Sequence, residues 1–150
     1  DHMYEKHNIS TVFIPFQKKN DLEITQKIRG LMKCESDIFD TECEFSDLMS
    51  LIGNARLCIG MRLHSLIYSV ISKIPCVGIV YDQKVKAFMD YIGQKNYLDA
   101  SSLNYQDLSE KVDFALENDE EIKKELENKS LELRELSQKN AQIAIELLKG

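Results

Sequence analysis

The chain has 150 residues, 43% of them apolar and 29% charged, which fits one soluble globular domain with a core of its own. Its formal net charge of −6 argues against a general nucleic-acid binder, which would be basic, though a local cationic pocket is compatible with it. No apolar run reaches the roughly 18 residues a membrane-spanning helix needs.

Asp1-His2-Met3 looks like a cloning scar and is set aside from fold reasoning. No signal peptide is visible. The body of the domain is expected over residues 4–118, with residues 119–150 as a helical extension. Four cysteines stand at positions 34, 43, 58 and 76 without a CxxC pair. Cys58 and Cys76 fall inside expected strands, where a free thiol serves as a small apolar residue. That usage suits a reducing compartment.

In chain order, Ser10–Phe16 (STVFIPF) is β-branched and aromatic and reads as a buried strand. A polar loop follows, and Asn20 or Asp21 is placed to cap a helix over Asp21–Lys33. Leu22, Ile24, Ile28, Leu31 and Met32 would form its inner face. A short strand is expected around Ile38 and Phe39. Phe45–Ile52 reads as a short helix stopped by Gly53, with Ser46 as a cap. Ala55–Ile59 is a short apolar strand bounded by Gly60. Met61–Lys73 carries Leu63, Leu66, Ile67, Val70 and Ile71 at helical spacing, and Pro75 stops the pattern. Cys76–Val80 is a second buried strand. A helix over Val85–Ile92 closes at Gly93. Asn96–Leu98 reads as an edge strand, and a helix follows over Tyr105–Leu116, capped from Ser101, Ser102 or Asn104. From Glu120 to Lys149 there is neither Gly nor Pro, so one long helix or two are expected. Its apolar stripe could seat on the domain, on another domain or in a coiled coil. Alternating short strands and helices predict an α/β fold: a Rossmann-like, three-layer domain with a mostly parallel sheet.

Open α/β sheets bind ligands beyond the carboxyl ends of their strands. Two polar groups fall there. Arg62, His64 and Ser65 start the helix after the first strand of the central βαβ unit. Tyr81, Asp82 and Lys84 follow its second strand. A helix start offers unpaired N–H groups, and an arginine and a histidine beside it suit a phosphate or carboxylate. His64 can donate a hydrogen bond or carry a proton near neutral pH. Lys84 can reach a phosphate as a point charge, with Asp82 capping the next helix and orienting it. Tyr81 can stack on a ligand or close the core. Gln17, after the first strand, faces the same crevice if that strand neighbours Ala55–Ile59. The plainer alternatives are a surface Arg62, a core His64 and a capped surface turn at Asp82. No glycine-rich phosphate loop, HExxH metal motif or GxSxG serine elbow is present, so no metal and no cofactor are expected.

The run GMRLHSLIYSVISKIPCVGIVYDQKVKAFMDYIG resembles the core signature of the polysaccharide pyruvyl transferase family. The matching positions are Gly60, Arg62, His64, Pro75, Val77, Gly78, Tyr81, Asp82, Lys84 and Gly93. FIPFQ followed by Asp21 is similar to an earlier part of the same half. The resemblance implies a C-terminal, donor-binding half of a two-domain, glycosyltransferase-B-like protein. It implies transfer of the pyruvyl group of phosphoenolpyruvate to a sugar of a cell-wall or exopolysaccharide, as a ketal. His64 would be the general acid or a phosphate contact, and Arg62 and Lys84 would hold donor anions. The saccharide acceptor would bind mainly through an N-terminal half absent here, so the isolated chain is expected to transfer little or no pyruvate. A cytoplasmic place near the inner face of the membrane is implied, and a homo-oligomer stays open. Two other readings remain: the donor half of a nucleotide-sugar glycosyltransferase, and a non-catalytic interaction module that pairs through its long helix.

Overall fold

Every strand is short and every ladder is parallel. The structure, a computed structural model, describes residues 1–149. It divides into two compact units, the first Asp1–Glu44 and the second from Phe45 onward. The class is the expected mixed α/β, with seven α-helices among the described residues around parallel strands.

The first unit contains α1 (His2–His7), β1 (Thr11–Phe13), α2 (Lys18–Leu31) and β2 (Ser36–Ile38), with β1 and β2 paired in parallel. Helix α1 lies where no element was expected. It is a six-residue helix ended by Asn8 in the left-handed region, φ 54°. The Asp1 carboxylate accepts from the backbone N–H groups of Lys33 and Cys34 and ties this helix to the end of α2. Helix α2 starts three residues earlier than its caps suggested. Asp21 does not cap it; its carboxylate reaches back to the Gln17 N–H at 2.9 Å, four residues upstream. Its expected inner face is also incomplete. Thr25 is its buried residue, while Ile24, Ile28 and Leu31 are exposed. The unit's sheet has two strands, too narrow to cover a four-turn apolar stripe.

The second unit runs α3 (Phe45–Gly53), β3 (Cys58–Gly60), α4 (Leu63–Ile71), β4 (Cys76–Val80), α5 (Gln83–Tyr91), β5 (Tyr97–Asp99), α6 (Tyr105–Glu117) and α7 (Asp119–Lys149). The sheet order is β3-β4-β5. The central β4 has the one run of five apolar or glycine residues, as a strand flanked on both sides should. Leu66 and Val70 of α4, Val77 of β4, and Val85 and Met89 of α5 form the core, each about fully buried. Asn96 is a buried polar pin. Its side-chain amide donates to the carbonyls of Cys76 and Lys111, joining β4 to α6.

The last 31 residues of secondary structure are one helix, not two. Ile122 and Leu126 of α7 are buried where it packs on α4 and α6. Lys129 then lies over the Tyr91 ring at 4.7 Å. Beyond that point the same stripe emerges into solvent, and Leu147 is 78% exposed. No helix among the described residues is long and apolar enough to cross a membrane.

Candidate functional site

Strands β3 and β4 run side by side with Gly60 opposite Gly78. Their following loops therefore leave the same rim of the sheet, one strand spacing apart, about 4.8 Å. Met61-Arg62 offers no Ser, Thr, Asp or Asn to cap α4, and the N-cap Arg62 makes no side-chain cap bond. The start of α4 is fixed from beneath instead. The buried Ser65 hydroxyl donates back to the Arg62 carbonyl at 2.6 Å. Under it lies Gly60, where a Cβ would come 2.5 Å from Ser65 Oγ and 2.9 Å from Leu66 Cδ2. The glycine is needed for this close approach of strand end to helix.

The rim residues differ in how they are held. Arg62 is half-buried and already engaged by other groups of the chain. His64, in the first turn of α4, is exposed, and its ring leans on Tyr68 one turn on, with centroids 6.0 Å apart. Tyr68 in turn meets Phe45 of α3 edge-on at 5.2 Å. Tyr81 projects from the end of β4 and is 44% exposed, so it does not close the core. Asp82 caps α5 as the sequence suggested. One oxygen, Oδ1, accepts the Lys84 N–H at 3.0 Å, and the other, Oδ2, lies 3.3 Å from Lys84 Nζ. These contacts, the backbone N–H first and the ammonium after it, hold the Asp82 carboxyl below its usual range.

Of the six residues the sequence singled out, five (Arg62, His64, Ser65, Tyr81 and Lys84) stand at this rim. Ser65 is turned inward, with its hydroxyl committed to Arg62. Gln17 belongs to the first unit, where β1 pairs with β2 and not with β3. There it is exposed, and its side-chain oxygen accepts from Asn20 at 3.4 Å.

Sequence reasoning passed over Asp99, which ends β5 at the same rim. It accepts from both the backbone N–H and the hydroxyl of Ser101, at 2.8 and 2.6 Å, and that hydroxyl most of all lowers its pKa. The run Asp-Ala-Ser-Ser was the available signal, a capped turn. Cys58 and Cys76 face each other across β3 and β4, and burial together with the neighbouring Cys58 pushes the Cys76 thiol up to about 12. Such thiols are inert packing groups at neutral pH. A cleft of about 550 Å³ lies at the opposite rim, lined in part by Arg56, Lys73, Glu120, Lys123 and Glu127. Lys73 pairs there with Glu127, joining the end of α4 to α7. The start of α7 forms one wall of this cleft, which is lined by none of the six residues.

The family model described as polysaccharide pyruvyl transferase matches residues 1–83. That stretch contains β3, α4, β4 and the turn to Asp82, and Lys84 follows directly. The chain is 29% identical over 97 residues to General stress protein 30 of Bacillus subtilis (strain 168), a match covering 61% of this chain and 28% of that protein. The chain thus corresponds to little more than a quarter of that relative's length. No solved structure matches. The match runs through more than half of the chain, including the Gly60-x-Arg62-x-His64 helix start and the Tyr81-Asp82 turn: the chain belongs to the polysaccharide pyruvyl transferase family.

Proposed function

We propose that this chain is the donor-binding part of a pyruvyl transferase, holding phosphoenolpyruvate for transfer of its pyruvyl group, as a ketal, to a sugar of a cell-wall or exopolysaccharide. The observation that carries this reading is the placement of Arg62, His64 and Lys84 just past the carboxyl ends of two neighbouring parallel strands. Phosphoenolpyruvate presents a phosphate and a carboxylate. Arg62 takes one such group through two parallel hydrogen bonds, and Lys84 meets the other as a compact charge. Protonation of the donor's methylene carbon leaves an oxocarbenium-like carbon. A first sugar hydroxyl adds to it and loses its proton. The phosphate leaves as the carbon–oxygen bond to it breaks, and a second hydroxyl of the same sugar adds and loses its proton to close the ketal. His64, exposed at the helix start, is the acid for the first step. The fixed cations stabilise the phosphate as it leaves. The acceptor is bound mainly by chain beyond these residues, so donor binding without turnover is the expected behaviour of the 150-residue chain.

The test is a titration of the chain with phosphoenolpyruvate and, separately, with uridine nucleotides, following the His64 ring signals by NMR. Phosphoenolpyruvate is expected to shift them at lower concentration. Arg62→Ala and Lys84→Ala should each weaken that binding about tenfold, the scale of one charged hydrogen bond. Lys129→Ala, whose cation lies over Tyr91, should leave it unchanged. Tighter binding of the nucleotide, or no response to phosphoenolpyruvate, would sink the reading.

A further inference from the structure

The Asp82 carboxylate divides its two oxygens between two tasks. Oδ1 accepts the Lys84 backbone N–H and caps α5, and Oδ2 faces the Lys84 ammonium at 3.3 Å. The cap needs an acceptor oxygen, which the charge strengthens but is not required to supply. The ammonium contact needs the charge. Both side chains stay partly open to solvent, 55% exposed for Lys84 and 40% for Asp82, so an incoming anion can approach the same ammonium. An anion that does so competes with a carboxylate already in place.

We propose that Asp82 is the resident counter-ion of Lys84, which occupies the ammonium while the site is empty and must yield it when an anionic donor binds. The inference depends on the reading of Lys84 as a donor contact. It adds a built-in threshold: weak or singly charged anions gain little by displacing a carboxylate tethered two residues away, whereas a dianionic phosphate gains more. The tether also keeps Lys84 aimed at the rim when no ligand is there. The ion pair is exposed, so its hold is small and falls with salt.

Asp82→Asn separates the two tasks. The amide oxygen of Asn can replace Oδ1 as the cap, and the NH₂ group replaces the charged Oδ2. Helix content should stay at the wild-type level, and the melting temperature should fall less than in Asp82→Ala, because the cap oxygen remains and only the charge is lost. Affinity for inorganic phosphate and for phosphoenolpyruvate, measured by calorimetry at low salt, should rise about threefold, the scale of one exposed ion pair. The gain should shrink in high salt. In a Lys84→Ala background the same Asp82→Asn change should give no gain. An unchanged affinity in Asp82→Asn, with Lys84→Ala still weakening binding, would overturn the counter-ion role and leave the donor reading standing. A gain that persists without Lys84 would also overturn it, because the effect would then be general charge removal. A Lys84-dependent gain for inorganic phosphate, with phosphoenolpyruvate bound no better than phosphate, would uphold the counter-ion and sink the donor reading. Absence of phosphate and phosphoenolpyruvate binding in every variant would overturn both.

Discussion

Helices α4 and α5 are built to one plan from different materials. Each has nine residues, follows a parallel strand of the same sheet and starts at the same rim. Each ends in the same pair of backbone bonds. In α4, Lys73 N–H donates to Val70 O and Ile74 N–H to Ser69 O; in α5, Gly93 donates to Asp90 O and Gln94 to Met89 O. This is the Schellman arrangement, with the left-handed residue at φ 59° for Lys73 and 76° for Gly93. The starts differ more. Packing fixes the start of α4, through Gly60, Ser65 and the fully buried Leu66. A surface cap fixes the start of α5, through Asp82. Arg62 and His64 thus stand on a helix start anchored from inside, whereas Lys84 stands on a start capped at the surface.

The comparison breaks first at Gly60. Gly60→Ala drives a methyl group to 2.5 Å from Ser65 Oγ and 2.9 Å from Leu66 Cδ2, so α4 must shift away from β3. A loss of about 2 kcal/mol in unfolding free energy is expected in a urea titration, in the range of overpacked cores. Ser65→Ala removes the nearer obstacle, and the double variant should recover part of the loss. Equal losses in the single Gly60→Ala and the double variant would place the clash at Leu66 alone.

Most of this rim could be read from the chain, because its signals are local. Cys76–Val80 was expected as a strand and is one, residue for residue, since five apolar or glycine residues before a polar turn admit little else. Asp82 was expected to cap and does, and Asn104 was among the caps considered and serves. What stayed hidden was set by distant partners. Helix α1 owes its place to a carboxylate that bonds N–H groups over thirty residues away, and no six-residue pattern carries that. Asp21 and the Gln17 N–H found each other instead of the standard cap, which moved the start of α2. Ala55–Ile59 looked like a whole strand, but the ladder begins only at Cys58, where Cys76 lies opposite. The inward turn of Ser65 was likewise invisible, because a serine near a helix start reads as a surface group until the glycine beneath it is placed. Exposure along α7 could not be read either: its stripe keeps one spacing throughout, and only the edge of the unit decides where burial stops.

The smaller effects test whether the caps are what distinguishes the two helices. Asp82→Ala removes the cap of α5 and should lower the melting temperature by about 3 °C, while Asp82→Asn, which keeps the cap oxygen and loses only the charge, should lower it less. The carboxyl is held below its usual range, so its charged contribution is present above the unfolded carboxylate pKa and is lost as pH falls through the lowered one. The charge-dependent part of the gap between wild type and Asp82→Ala should therefore close on acidification below about pH 4. Arg62→Ala removes no cap bond from α4 and should not reproduce this profile.

The smallest effect belongs to Lys73, where two terms nearly cancel. A lysine in the left-handed region carries a steric cost of about 1 kcal/mol that glycine avoids. Against that, Lys73 pairs with Glu127 and helps seat α7 on α4. That pair is half-exposed on both sides, and exposed pairs contribute little and are screened by salt. Lys73→Gly should thus be slightly stabilising, by about 1–2 °C in melting temperature, and the gain should grow as salt removes what the wild-type ion pair supplied. Gly93→Lys is the mirror experiment. It installs the same strain at the end of α5 without a built partner and should lower the melting temperature by a few degrees, about 3 °C. If Lys73→Gly instead destabilises, and does so less in high salt, the ion pair to α7 outweighs the backbone term, and α4 is then held at its end, as at its start, by what packs against it.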